Sequence, residues 1–124
     1  MASLLQSAAA LYGRIAVARY RRAPPYRSRL PVICVGNLVA GGTGKTPLSL
    51  HIAHCLREHG YRPAFLTRGY GGRVIGPHRV DHLLDAARDV GDEPLLLAQA
   101  ATTIVSHDRA AGARMIEETS ATHI

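Results

Sequence analysis

One stretch of this sequence constrains the fold more than any other: a glycine-rich loop set between an apolar run and an amphipathic run. Residues 31–36 (PVICVG) are apolar and rich in β-branched side chains, which is typical of a buried parallel strand. Residues 37–46 (NLVAGGTGKT) supply the loop, and residues 46–59 have the spacing of an amphipathic helix that Gly60 ends. Strand, glycine-rich loop, Gly-Lys-Thr and helix, in this order, predict a phosphate-binding loop.

The residue types in this loop match the chemistry of phosphate binding. Glycines let the backbone curve so that several N–H groups point at one phosphate, and the start of the following helix adds a partial positive charge. The only lysine of the chain, Lys45, is predicted to reach the β- and γ-phosphates of a nucleotide, and the Thr46 hydroxyl to ligate Mg²⁺. The strict pattern has glycine where this chain has Val39, so a glycine-rich turn with a chance Gly-Lys-Thr is the alternative. The predicted nucleotide-binding residues are Gly41, Gly42, Thr43, Gly44, Lys45 and Thr46.

The net charge of the chain is concentrated at its start. The formal net charge is +6, and residues 1–31 contain six arginines and no acidic side chain, which leaves the rest of the chain neutral. A general nucleic-acid binder spreads its basic groups over a binding face, so this distribution argues against that class. Apolar positions three or four apart predict an amphipathic helix over residues 2–22, which Pro24 and Pro25 end. We expect this helix to lie on an anionic membrane surface, and packing against the protein's own body is the alternative.

Two further clusters follow the helix predicted over residues 46–59. Residues 62–67 predict a strand that runs into residues 68–73 (RGYGGR). Ligands of open α/β sheets bind beyond the carboxyl ends of the strands, so this loop is expected near bound phosphates; a flexible surface loop with solvated arginines is the alternative. Residues 90–98 (VGDEPLLLA) predict a loop that leads into a helix. Asp92 there either caps the helix or points a carboxylate at the γ-phosphate, as general base or metal ligand.

The helix predicted over residues 46–59 also contains a row of metal-ligating residue types. His51, Cys55 and His59 recur every four residues. This spacing allows a zinc site, but a row of solvated or helix-packed histidines is the interpretation that we favour. Cys34 and Cys55 are too few for a disulfide framework, and we predict reduced cytosolic thiols.

Four motifs stand at defined positions: VGN at residues 35–37, GGTGKTP at 41–47, RGYGG at 68–72 and VGDEP at 90–94. In their order and spacing they closely resemble the tetraacyldisaccharide 4′-kinases, the lipid A 4′-kinase family, as does the basic N-terminal helix. The resemblance implies transfer of the γ-phosphate of ATP to the 4′-hydroxyl of a tetraacyldisaccharide 1-phosphate in lipid A biosynthesis. It also implies ATP and Mg²⁺ as cofactors and peripheral attachment to the cytoplasmic face of the Gram-negative inner membrane.

The resemblance also implies roles for individual residues. Lys45 and Asp92 take the catalytic roles, Asp92 as the catalytic carboxylate, and Thr46 takes the role of metal ligand. The implied substrate is the lipid disaccharide, and residues 2–22 are expected to contact the inner-membrane surface. No nucleic-acid partner and no protein partner is predicted. The implied substrate-binding residues are Asn37, Arg68, Gly69 and Tyr70.

The predicted fold class is α/β, a parallel sheet flanked by helices as in P-loop NTPases, incomplete and preceded by the amphipathic helix. Residues 1–30 are predicted as helix and linker, and residues 31–124 as the N-terminal portion of a kinase domain. Residues 102–106 predict a third strand, residues 108–120 a helix with Asp108 as its N-cap, and the last four residues the start of a fourth strand.

The chain is expected to act as part of a longer enzyme. Family members are much longer, so the resemblance implies a piece that stops before the Walker B acid and has little activity alone. A second function stays open, which is a membrane-associated, non-catalytic nucleotide-binding module of the phosphate-loop class. Residues 68–72 and 90–94 favour the kinase over that module.

Overall fold

The computed structural model describes residue 18, residues 25–36 and residues 44–124. Two predicted features therefore lie outside the described residues: the amphipathic helix over residues 2–22, apart from residue 18, and residues 37–43 of the predicted phosphate loop. In the part of the chain that the structure describes, no helix combines the length and the apolar character needed to cross a lipid bilayer.

The described residues form a mixed α/β fold with a small sheet. Its elements confirm the helices and strands that the sequence pattern predicts from residue 46 onwards, with ends shifted by a few positions. In chain order they are α1 (Lys45–Glu58), β1 (Ala64–Thr67), β2 (His78–Arg79), α2 (Ala87–Val90), α3 (Asp92–Ala98), β3 (Thr102–Val105) and α4 (Arg109–Glu117).

Local signals set the ends of two helices, as predicted. After α1, Gly60 takes a φ of +81°, and the Tyr61 amide donates to the Leu56 carbonyl at 3.0 Å, which is the hydrogen bond of a Schellman end. Before α4, the Asp108 carboxylate accepts from the Ala110 amide at 2.9 Å and so caps the helix. Both features fix where the chain leaves or joins the sheet.

β3 is the central strand of a three-stranded sheet with the order β1–β3–β2. β1 lies parallel to β3, with Phe65 opposite Thr103. β2 lies antiparallel to β3, with His78 opposite Val105, so the prediction of a wholly parallel sheet is wrong at this edge. The chain comes alongside β3 at Gly76, whose backbone packs directly against Val105, and then runs back along β3.

The strand predicted at the end of the chain lies beside β1. The Ala64 amide donates to the His123 carbonyl at 2.9 Å, and Pro63 forms a parallel bridge with His123. The Thr122 amide donates to the Arg62 carbonyl at 2.7 Å. These bonds extend the parallel pairing one strand beyond β1.

Residues 31–36 are extended and lie on the far side of that strand. The Ile33 amide donates to the Ile124 carbonyl at 2.8 Å, and the Ile124 amide donates back to this segment at 2.9 Å. The prediction that the segment is buried is wrong in the described structure, because Val32 is 58% exposed and Ile33 43% exposed. Helix α1 covers only the side on which Ile33 and Val35 line an apolar cavity, so the other side faces solvent.

Two apolar clusters lie on opposite faces of the sheet. Ile104 and Val105 are neighbours on β3 and are fully buried, and neighbouring strand residues point to opposite faces. Ile104 packs with Ile116 of α4, whereas Val105 packs with Val90 of α2. Helices therefore cover both faces of the sheet, as predicted.

Candidate active site

Helix α1 begins directly after the predicted phosphate loop. Gly44 has a φ of +75°, a left-handed conformation that favours glycine, and the helix starts at the next residue, Lys45. The first turn of α1 contains no acidic residue, and amides at a helix start carry a partial positive charge. The Lys45 side chain is exposed beside these amides. This end of α1 therefore has the charge and the accessibility to hold an anion.

A hydrogen bond joins the start of α1 to the start of α3. The Thr46 hydroxyl donates to the Glu93 carboxylate, with 2.6 Å between Oγ1 and Oε1, although the two residues are 47 positions apart. Glu93 is a residue that the sequence analysis missed. The signal was present, because Glu93 follows Asp92 in the VGDEP motif, but the pattern does not reveal which of the two acids faces Thr46.

Asp92 is the first residue of α3, and Gly91 precedes it as the N-cap. No side chain makes a capping hydrogen bond at this helix, so the alternative in which Asp92 caps α3 is wrong. Asp92 is exposed and is adjacent in sequence to Glu93, which contacts Thr46. Its carboxylate is therefore available at the edge where α1 and α3 begin.

The loops that contain the third and fourth motifs, RGYGG and VGDEP, pack backbone against backbone. A Cβ on Gly72 would lie 2.6 Å from the Asp89 carbonyl oxygen, and a Cβ on Gly91 would lie 2.7 Å from the Tyr70 carbonyl oxygen. These positions exclude a side chain, because real Cβ atoms do not approach so closely. We call this contact between residues 69–72 and residues 89–91 the glycine junction.

Hydrogen bonds reinforce the glycine junction. The Arg73 and Val74 amides donate to the Asp89 carbonyl at 2.8 and 2.9 Å. Backbone hydrogen bonds and close packing thus hold the loop over residues 68–73, which argues against the alternative of a flexible surface loop. Its arginines are exposed, as that alternative expected, and Tyr70 is 95% exposed.

The structure links several of the described candidate residues to one another. Tyr70 contacts the loop that begins α3 through the glycine junction, and Glu93 of α3 contacts Thr46. Gly69 is buried in the junction, where a Cβ would lie 2.8 Å from the Val90 carbonyl oxygen. Of the remaining candidates, Asn37, Gly41, Gly42 and Thr43 lie outside the described residues.

The histidine row on α1 forms no recognisable metal site in the described residues. Cys55 Sγ lies 3.7 Å from His51 Nε2, and the Nδ1 atom of His59 lies 2.8 Å from the Cys55 carbonyl oxygen. Across residues 25–36 and 44–124, no group of three His, Cys, Asp or Glu side chains is placed to hold a metal ion. The contacts of His59 with the helix backbone agree with the helix-packed interpretation. Both cysteines are free thiols.

Comparison with known proteins gives the same assignment as the motifs. A family model described as tetraacyldisaccharide-1-P 4′-kinase, LpxK, matches residues 1–124. A tetraacyldisaccharide 4′-kinase of Methylobacterium nodulans is 55% identical over 123 residues, which is 99% of this chain and 36% of the relative. A tetraacyldisaccharide 4′-kinase of Parvibaculum lavamentivorans is 56% identical over 112 residues, which is 90% of this chain and 33% of the relative. The chain thus spans about a third of the length of these curated relatives.

A solved structure agrees with the fold. The crystal structure of LpxK from Aquifex aeolicus in complex with ATP superposes with a TM-score of 0.79 and 29% sequence identity, covering 98% of this chain and 42% of that one. The motifs, the fold and a family match along the whole chain lead to one conclusion: this chain belongs to the tetraacyldisaccharide-1-P 4′-kinase family, LpxK.

Proposed function

We propose that this chain supplies the nucleotide-binding part of a tetraacyldisaccharide 4′-kinase with a P-loop fold. The enzyme transfers the γ-phosphate of ATP to the 4′-hydroxyl of tetraacyldisaccharide 1-phosphate. The observation that carries the proposal is the 2.6 Å hydrogen bond between Thr46 and Glu93, because it joins the Gly-Lys-Thr motif to the acidic start of α3. In this proposal residues 1–30 are a membrane-contacting helix and linker, and residues 31–124 are the N-terminal portion of the kinase domain.

The residues at this edge fit ATP and Mg²⁺. Mg²⁺ prefers oxygen ligands, and Thr46 and Glu93 place a hydroxyl and a carboxylate oxygen next to each other. The Thr46 hydroxyl donates a hydrogen bond to Glu93, so the lone pairs of the hydroxyl oxygen stay free for a cation. Bound Mg²⁺ would neutralise part of the negative charge on the phosphate oxygens. Lys45 binds the β- and γ-phosphates as a point charge beside the helix start, with Gly41, Gly42, Thr43 and Gly44 completing the loop.

The exposed side chains beside this site suit a hydroxyl acceptor on an anionic lipid. Asp92 takes the proton of the attacking 4′-hydroxyl, because it is an exposed carboxylate one residue from Glu93. Arg68 and Tyr70 are exposed on a loop whose backbone is fixed, which favours contacts with the disaccharide phosphate and sugar. Gly69 contributes by its packing, since it is buried in the glycine junction. Asn37 is assigned to the substrate by its motif.

The proposed location is the cytoplasmic face of the bacterial inner membrane. The substrate is a lipid, and the net charge of the chain comes from the arginines of residues 1–31. Arginines attract anionic headgroups, while the apolar positions of residues 2–22 suit the acyl boundary. The attachment is peripheral in this proposal.

The test is phosphoryl transfer by the full-length protein with ATP, Mg²⁺ and tetraacyldisaccharide 1-phosphate. Lys45→Ala is expected to lower turnover by at least about a hundredfold, because it removes a charge from the phosphate-binding end of α1. Arg57→Ala is the matched control, since it removes a cation from the last turn of the same helix. Turnover near the wild-type rate in Lys45→Ala would overturn the proposal. ATP binding without transfer to the lipid would favour the non-catalytic module instead.

A further inference from the structure

One side of the glycine junction is a tight turn that exposes an aromatic side chain. The Gly72 amide donates to the Gly69 carbonyl at 3.0 Å, and Tyr70 lies in the centre of the turn that this bond closes. The Tyr70 side chain is almost fully exposed, whereas its carbonyl oxygen lies against Gly91, where a Cβ would be only 2.7 Å away. We call residues 69–72 the Tyr70 turn. It presents its ring outwards while its backbone rests on the residue before α3.

The other side of the junction is Gly91, which joins α2 directly to α3. Its amide donates to the Ala87 carbonyl at 2.8 Å at the end of α2, and Asp92 begins α3 at the next position. Its backbone has a φ of +94° and a ψ of 158°, a combination that essentially only glycine adopts. Because no loop separates the two helices, the position of Gly91 sets the position of the Asp92 backbone.

Buried side chains anchor α3 behind its exposed acidic residues. Pro94 is fully buried, and Leu97 is 4% exposed. Leu95 packs against the apolar cluster that contains Val90. A shift of α3 would unpack these side chains, whereas the Tyr70 turn lies at the surface. Added bulk in the glycine junction is therefore expected to displace the turn and to leave α3 in place.

Direct contacts connect the Tyr70 turn with the start of α1. The Tyr70 carbonyl lies against Gly91, and two positions later Glu93 accepts the 2.6 Å hydrogen bond from Thr46. Asp92 lies between these two contacts in the sequence. Its backbone is therefore placed with respect to the exposed turn on one side and to the Gly-Lys-Thr motif on the other.

We propose that Gly72 and Gly91 are positioning residues for phosphoryl transfer. By keeping side chains out of the glycine junction, they hold the Tyr70 turn one backbone contact away from Asp92. An acceptor bound through Arg68 and Tyr70 then has its hydroxyl within reach of the Asp92 carboxylate. Misplacement of reacting groups by about 1 Å costs about a hundredfold in rate, so this spacing matters for turnover. The proposal rests on the proposed function, which assigns the acceptor to the turn and the proton transfer to Asp92.

The test compares Gly72→Ala with Gly112→Ala in the full-length protein. Neither glycine has a positive φ, so in both variants the methyl group adds bulk without a conformational cost. At Gly72 a Cβ would lie 2.6 Å from the Asp89 carbonyl oxygen, inside the junction. Gly112 lies on α4, on the other face of the sheet, where a Cβ would collide with Leu66 and lie 2.9 Å from Ser106 Cβ. The control therefore matches the crowding but leaves the junction alone.

A selective loss of turnover is expected in Gly72→Ala. The kcat for lipid phosphorylation should fall about tenfold to a hundredfold, because the turn moves away from the carboxylate. The Kd for ATP and the KM for the lipid should stay within about twofold, because α1 stays in place and the turn keeps its side chains. Amide exchange at Arg73 and Val74 should rise, since both amides bond to the Asp89 carbonyl. Gly112→Ala should keep kcat within about twofold at a temperature at which circular dichroism shows both variants folded.

The outcomes separate positioning from other effects. An unchanged kcat in Gly72→Ala, or an equal loss in Gly112→Ala, would overturn the proposal. A higher KM for the lipid at constant kcat would mean that the turn only binds substrate, and a matching rise in the Kd for ATP would locate the effect at the nucleotide; either result would also overturn it. If the wild-type protein transfers no phosphate to the lipid, the proposed function itself has failed.

A second variant covers the case in which Gly72→Ala does not fold. Val90 is fully buried, and its carbonyl oxygen packs against Gly69 of the Tyr70 turn. Val90→Ala removes two methyl groups beneath the turn and adds no clash, so it loosens the same contact from the opposite side. The same selective loss of kcat is expected, and a kcat equal to that of the wild type would overturn the proposal.

Discussion

The glycine junction and the Glu117 side chain at the end of α4 each connect distant parts of the chain, but they do so through different chemical groups. At the glycine junction, the backbones of residues 69–72 and 89–91 pack so closely that no side chain fits between them, and the Arg73 amide donates to the Asp89 carbonyl. At the end of α4, the Glu117 carboxylate accepts hydrogen bonds from Tyr26, Ser28 and Arg29. We call these four residues the Glu117 cluster. The first contact is made by uncharged backbone, and the second depends on a single charge.

This difference determines what each contact tolerates. A backbone contact without side chains excludes any added Cβ, yet it is indifferent to pH and to salt. A carboxylate contact tolerates changes of shape among its donors, yet it is lost when the carboxylate is neutralised. The two regions should therefore respond to opposite kinds of perturbation.

The largest effect is expected from a methyl group in the glycine junction. Gly69 has a φ of +68°, and a Cβ there would lie 2.6 Å from Val105 Cγ1 and 2.8 Å from the Val90 carbonyl oxygen. Gly69→Ala should lower the free energy of unfolding by about 2–4 kcal/mol, because it adds a steric clash to an unfavourable backbone conformation. Urea unfolding followed by circular dichroism measures this loss.

Gly71→Ala is the matched control in the same loop. Gly71 has a φ of +83°, but a Cβ there would meet nothing within 4 Å. The substitution should cost about 1 kcal/mol, which is the conformational term alone. Equal losses in the two variants would show that close packing at Gly69 does not stabilise the glycine junction.

A smaller effect is expected when acid neutralises the Glu117 cluster. The folded-state pKa of Glu117 is about 2, below the ordinary value of 4.5, so the carboxylate stabilises the fold fully above pH 4.5 and loses that contribution as the pH falls towards 2. The difference in unfolding free energy between the wild type and Glu117→Gln should therefore shrink across this window. Urea unfolding at a series of pH values measures it.

Asp85 titrates in a similar range and must be separated from Glu117. Burial alone would raise the pKa of Asp85, but its hydrogen bonds with His78 and with the Asp81 amide lower it. Asp85 is present in both proteins, so its contribution cancels in the difference. A difference that stays constant from pH 6 to pH 2 would show that Glu117 gains nothing from its donors.

The elements of the fold that the sequence predicted are those with local signals. Gly60 and Asp108 mark helix ends through their own backbone and side-chain hydrogen bonds, and the pattern places both within a residue or two. The glycines of the third and fourth motifs also indicate a close approach of backbones. What they do not reveal is that the two loops approach each other, because glycine indicates that space is needed without indicating the partner.

The features that the sequence could not predict depend on distant partners. Tyr26 and Glu117 are separated by 91 positions, and a single glutamate at the end of a helix has no local pattern that marks it. Whether Asp92 or Glu93 meets Thr46 depends on the orientation of α3 relative to α1, which no short motif contains. The reversed direction of β2 likewise depends on its pairing with β3, which comes later in the chain.

The smallest effect is expected from a charge at the edge of the glycine junction. Arg88 Nε lies 3.5 Å from the Asp89 carboxylate, and the two side chains are 77% and 41% exposed. Solvent screens such a pair, so Arg88→Ala should change the free energy of unfolding by less than about 0.5 kcal/mol. It is the carbonyl of Asp89, not its carboxylate, that accepts the Arg73 amide, so the junction should remain intact. Urea unfolding at low and high salt checks this result: a larger loss that disappears at high salt would mean that charge also supports the glycine junction, and the contrast with the Glu117 cluster would not hold.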